Sequence, residues 1–122
     1  MTRKWLLPAA LYAILAYAAN PKVADANKRL KEGKFDEAIA ALETEAKVKP
    51  KDAEVKTALA NAHFAYGDSL MNNAQLPPMR KYPGALRQFR QTLTYDANHK
   101  KAKESIALIE GIYRSMGRDV PK

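Results

Sequence analysis

Two stretches of the sequence repeat each other at a separation of 34 residues. In "ANKRLKEG" and "ANAHFAYG", Ala26 falls on Ala60, Asn27 on Asn61, Leu30 on Phe64 and Gly33 on Gly67. A period of this length belongs to a supersecondary unit that cannot bury its apolar face alone; neighbouring units stack, and the last one needs a cap. That constraint matters in a chain of 122 residues, which has room for one small domain and a modest core. With 47% hydrophobic and 28% charged residues, the composition is that of a folded chain.

After Gly33 the first unit continues with Phe35, Ala38, Leu42 and Pro50. The order small residue, apolar residue, Gly, aromatic, Ala, large apolar residue, Pro resembles the tetratricopeptide repeat, a helix–turn–helix unit. The resemblance covers residues 19 to 98 and implies an all-α fold, a right-handed array of helical hairpins. Ala38 would then sit where paired helices approach most closely, and Gly33 would permit the turn between them. Lys22, Asp25 and Thr92 depart from the family pattern, which prefers apolar or small residues there.

The second unit begins as the first does and then changes. Ser69 stands where an aromatic is due, and the expected second half returns as Tyr82, Ala85, Phe89 and Ala97, each 47 residues after its counterpart. The unit therefore carries 13 additional residues between its helices, about 69–81. Leu59, His63, Tyr66, Leu70 and Ala74 continue the first helix to about residue 75 at helical spacing. Leu76-Pro77-Pro78 would stop it and impose extended backbone, and Pro83 suits the first turn of the next helix. Residues 75–82 are thus expected as a stiff exposed loop. Leu76 and Met79 beside Arg80 and Lys81 would give that loop an apolar tip with a basic rim, suited to docking on a protein.

A capping helix is expected over about 99–116. Asn98 would be its N-cap, with Ala102, Ile106, Ile109, Tyr113 and Met116 along its apolar stripe and Gly117 past its end. The helices expected before it lie near 22–32, 35–48, 53–75 and 83–95, and residues 21–122 form the helical domain.

Residues 1–20 differ from the rest. Arg3 and Lys4 precede the uncharged run "WLLPAALYAILAYAA", in which Trp5, Leu6, Leu7, Leu11, Ile14 and Leu15 carry the apolar character. As a short apolar helix the run would rise roughly 22 Å, less than the roughly 30 Å of a hydrocarbon core. A basic start, an apolar core and the small residues of Ala16-Tyr17-Ala18 describe a secretory signal peptide. Retention as a membrane anchor, with Trp5 and Tyr17 at the interfaces, is the alternative. Both place the helical domain outside the cytoplasm, periplasmic or membrane-anchored.

For chemistry the sequence offers little. It has no Cys, which removes disulfides, thiolate metal sites and cysteine nucleophiles. His63 and His99 have no acidic residue or second His at a metal-ligand spacing, and no phosphate-cradling glycine loop or nucleophile elbow is present. No catalysis, cofactor or metal is expected. Resemblance to the repeat family implies instead a concave groove lined by the first helix of each unit: Val23, Asn27, Leu30, Lys31, Thr57, Asn61 and Phe64. The two asparagines occupy the position that in the family bonds a bound peptide's backbone, a task for which an amide both donates and accepts. The family's clamp for a C-terminal carboxylate needs a Lys four residues before the first Asn, where this chain has Val23 and, in the second unit, Thr57.

The net charge of +8 is spread without a block of five or six cations, which argues against a nucleic-acid arm. The expected function is a non-catalytic protein-binding scaffold, an accessory or assembly subunit of a membrane or envelope complex. A soluble periplasmic adaptor that binds peptides is the alternative. Contact of the basic surface with anionic lipid is a further option, and nucleic acid is not an expected partner.

Overall fold

The computed structural model describes residues 20–122. The expected signal or anchor, including Trp5, Leu6, Leu7, Leu11, Ile14 and Leu15, lies outside the described residues. Five helices make up the described residues: α1 (Pro21–Lys31), α2 (Phe35–Val48), α3 (Ala53–Met71), α4 (Pro78–Tyr95) and α5 (Lys100–Ser115). Among the described residues no strand is present, so the all-α class holds. Each helix packs on the next in sequence, and α1 also meets α3.

Local chemistry sets most of the boundaries. Asn20 caps α1 through its side-chain oxygen, which accepts from the Lys22 N–H at 2.9 Å, and Pro21 follows at the first helical position. Asn20 also ties α1 to α3: its backbone N–H reaches Glu54 Oε1 and its amide reaches Asp52 Oδ2, each at 3.4 Å. Gly33 ends the first helix with φ of +77°, a left-handed conformation that glycine enters without steric cost. Asp52 caps α3 by accepting from the N–H groups of Glu54 and Val55. The cap of α5 is His99 rather than Asn98: its Nδ1 accepts from the Ala102 N–H at 3.1 Å. Gly117, with φ of +64°, lies just past the end of α5 as expected.

The stretch from residue 69 to Pro83 folds differently from its sequence reading. α3 ends at Met71, not near residue 75, because two asparagines turn the chain. The Asn72 amide donates to the Asp68 carbonyl at 2.9 Å, and Asn73 Oδ1 accepts from the Gln75 N–H at 3.0 Å. Side chains of this kind compete with the helix for its own backbone groups. The connection is only residues 72–77. Pro77 adopts the extended backbone required before a proline, and Pro78 opens α4 at its first position. Pro83, expected at a helix start, lies inside α4. There it removes one backbone bond near the helix start, and Tyr82, Ala85, Leu86 and Phe89 pack well enough to carry the helix through. The additional residues are thus spent mainly on lengthening α3 and α4, and Met79, Arg80 and Lys81 lie on the first turn of a helix.

The core has two parts. One gathers Val23 and Ala26 of α1, Ala38, Ile39 and Leu42 of α2, and Val55, Ala58, Leu59 and Ala62 of α3. The other gathers Ala85, Leu86 and Phe89 of α4 with Ala102, Ile109 and Tyr113 of α5, and Phe64, Leu70 and Met71 of α3 pack against it. α3 passes from one to the other. Ala38 and Ala85 are both fully buried, as are Leu42 and Phe89, in line with their equivalence across 47 residues. Gly67 does not repeat the part of Gly33. It lies within α3, where the backbone approaches α4 so closely that a Cβ would stand 2.8 Å from Phe89 Cε1. Thr92, one of the departures from the family pattern, is fully buried and satisfies its hydroxyl by donating to the Gln88 carbonyl at 3.2 Å. Met116 leaves the expected stripe and is exposed.

Candidate partner-binding surfaces

The first surface is a hollow of about 390 Å³ between α1 and α3, lined by Val23, Asn27, Ala53, Glu54, Thr57, Ala58 and Asn61. It arises because α1 and α3 lie side by side, which sets the equivalent positions of the two units next to each other. Val23 and Ala58 form its buried apolar floor, while Asn27, Thr57 and Asn61 are exposed with their polar groups available. Four of the seven expected groove residues are therefore brought together. Leu30 instead packs on the first core, and Lys31 is exposed at the end of α1. Phe64 packs at a tilt against Phe89 and His99, with ring centroids 5.5 and 4.9 Å away. The resemblance to the repeat family implies Leu30 and Phe64 on the groove face, but an apolar residue at that position serves the core first. Ala53, Glu54 and Ala58 were missed, although helical spacing from Thr57 and Asn61 could have supplied them.

The second surface begins at the turn. Leu76 is half-buried, whereas Met79 retains 49% of its surface and Arg80 is exposed; Lys81 is half-buried near the Tyr82 ring. At helical spacing Arg80, Pro83, Arg87, Arg90 and Gln91 share one face of α4, away from buried Ala85, Leu86 and Phe89. The segment after α5 returns to this face. Val120 packs on the second core, Arg118 donates to Met79 Sδ at 3.4 Å, and Pro121 and Lys122 join Pro83, Arg87, Arg90 and Gln91 around a hollow of about 200 Å³.

Both histidines have structural partners. His63 is buried, stacks on Tyr95 with centroids 5.6 Å apart, and lies 2.7 Å from Gln88 Oε1 through Nδ1. Since the amide oxygen can only accept, Nδ1 donates, and Nε2 is left buried without a partner among the described residues. His99 is spent on capping α5 and covering Phe64. Among the described residues, no helix is long and apolar enough to cross a membrane. No family model, curated protein or solved structure matches the chain.

Proposed function

We propose that the protein is a non-catalytic scaffold of the tetratricopeptide type, two hairpin units and a capping helix, that holds another protein outside the cytoplasm. The observation that carries this reading is the hollow in which Asn27 and Asn61, equivalent residues of successive units, stand over Val23 and Ala58. An apolar floor rimmed by amides that donate and accept suits an extended peptide backbone better than a small reactive substrate. Commitment of both histidines to packing and capping supports a binding role over a catalytic one. The basic start and uncharged run of residues 1–19 support export, with the domain either released or anchored beside a membrane complex.

Two units make a short groove, so a fixed subunit contact over a wider surface suits the fold better than capture of free peptides. The soluble peptide-binding adaptor is the second reading, favoured by the same hollow. Co-purification from solubilised membranes tests the proposal. The full-length protein should retain a protein partner that Asn27→Ala/Asn61→Ala releases while the helical circular-dichroism signal stays unchanged. Retention of that partner by the double variant would refute the groove as the binding surface.

A further inference from the structure

The charge of the molecule is unevenly divided. Residues 20–75 hold nine Lys and Arg against nine Asp and Glu, whereas residues 76–122 hold ten against four. Ion pairing follows the same division. The salt bridges among the described residues join Arg29 to Asp25 and Glu37, Lys34 to Glu32, and Lys49 to Glu45, all in the first two helices or their turns. None involves a cation beyond residue 49. On the outer face of α4 the cations are aligned: Arg80 and Arg87 are exposed, Arg90 is half-exposed, and the returning segment adds Arg118 beside Met79 and Lys122 beside Arg87 and Arg90. Asp119 is the acid nearest in sequence on that segment, and it pairs with none of them.

We infer that this face of α4, with the segment after α5, is a docking surface for an acidic segment of a partner protein. The inference rests on the scaffold reading and adds the chemistry of the partner. Arginines at helical spacing around a concave hollow suit carboxylates, which they bond in a bidentate fork. Exposed Met79 at one end supplies an apolar contact within the charged strip. A second copy of this chain is a poor occupant, because its described residues present a balanced half and a positive half. Single-stranded nucleic acid would need exposed aromatic rings to stack on. Here Phe89 is fully buried and Tyr82 packs on the second core. A membrane surface suits a flat array of cations, whereas these cations surround a hollow walled by Pro83 and Pro121.

The test uses the full-length protein and a fluorescent glutamate-rich peptide, with anisotropy as the readout. Binding should weaken steeply as salt is raised. Arg87→Glu/Arg90→Glu should weaken it by about tenfold or more, whereas Lys47→Glu/Lys51→Glu, an equal charge change in the balanced half, should leave it within about twofold. Arg87→Gln/Arg90→Gln, with helicity checked, guards against loss of fold. Equal loss in both charge-reversal variants would show attraction to net charge alone and overturn the inference. So would tighter, Arg87- and Arg90-dependent binding of phosphatidylglycerol vesicles or of oligothymidine than of the peptide. If the peptide fails to bind while the membrane-extracted partner still depends on Asn27 and Asn61, the acidic-partner inference falls and the scaffold reading stands.

Discussion

Gly67→Ala sets two effects of known sign against each other. Within a helix the change should stabilise by about 1 kcal/mol, because alanine has less backbone freedom to lose. At this position the new methyl would stand 2.8 Å from Cε1 and 2.9 Å from Cδ1 of Phe89, and 3.2 Å from the Ala85 carbonyl oxygen. Ordinary carbon contacts lie at about 3.5–4.0 Å, so the ring would have to retreat by roughly 0.7 Å or more. Phe89 is fully buried, lies 5.5 Å from the Phe64 ring and has no open side to move toward. Overpacking of this kind costs about 1–3 kcal/mol, enough to reverse the gain in propensity. The expected net loss is up to about 2 kcal/mol, or up to roughly 10 °C in Tm for a domain of this size. Urea unfolding followed by circular dichroism measures it, and Phe89→Leu completes a double-mutant cycle. The smaller side chain should relieve the clash, giving a favourable coupling of about 1 kcal/mol. A Gly67→Ala protein more stable than the parent, with zero coupling to position 89, would refute the close approach of α3 and α4.

Ala38→Leu should destabilise by about 1–3 kcal/mol, because Ala38 is fully buried in the first core; an unchanged melting temperature would remove it from the helix contact. His99→Ala should cost about 1 kcal/mol by uncapping α5, and His99→Asn should restore most of it, which thermal melts of the three proteins would compare. Residues 1–25 fused to a reporter active only outside the cytoplasm should give signal; a silent reporter, with full-length protein in the soluble cytoplasm, would end the export reading.

The architecture was readable where one residue has one good physical option. Gly33 and Gly117 end helices as their backbone freedom suggests, and Ala38 and Ala85, equivalent by spacing and close-packing positions by the family resemblance, are both fully buried. Gly67 was not readable in this way, since a glycine that aligns with a turn glycine can equally serve a close helix approach. Residues 69–83 are a related case. Three prolines point toward a loop, but Pro78 at a first helical position favours a helix, and one interior proline can be carried by packing around it. The stronger local signal is Asn72-Asn73, whose side chains stop α3. Asn27 and Asn61, equivalent by the 34-residue period, line one hollow. Phe64 does not line it: spacing gives a helix face but not which neighbouring helix claims it.

This placement changes what the insertion can do. α3 and α4 have 19 and 18 residues against 11 and 14 in α1 and α2. At about 1.5 Å per residue the second hairpin is therefore longer by roughly 6–12 Å. The added length does not stand free. Leu70, Met71 and Tyr82 pack on the second core, and the segment after α5 returns to it through Val120 and through Arg118 at Met79. Sealing and docking are thus divided among neighbouring residues. Replacing residues 69–81 by a short turn should remove Leu70 and Met71 from the core and cost roughly 2–5 kcal/mol, whatever happens to binding. Met79→Ser/Arg80→Glu changes only exposed side chains and should stay within about 0.5 kcal/mol of the parent in urea unfolding. Partner capture by this double variant is then the clean measure of docking. Wild-type stability in the shortened protein would mean that the long hairpin does not seal the second core, and full partner capture by the double variant would remove the first turn of α4 from the binding surface.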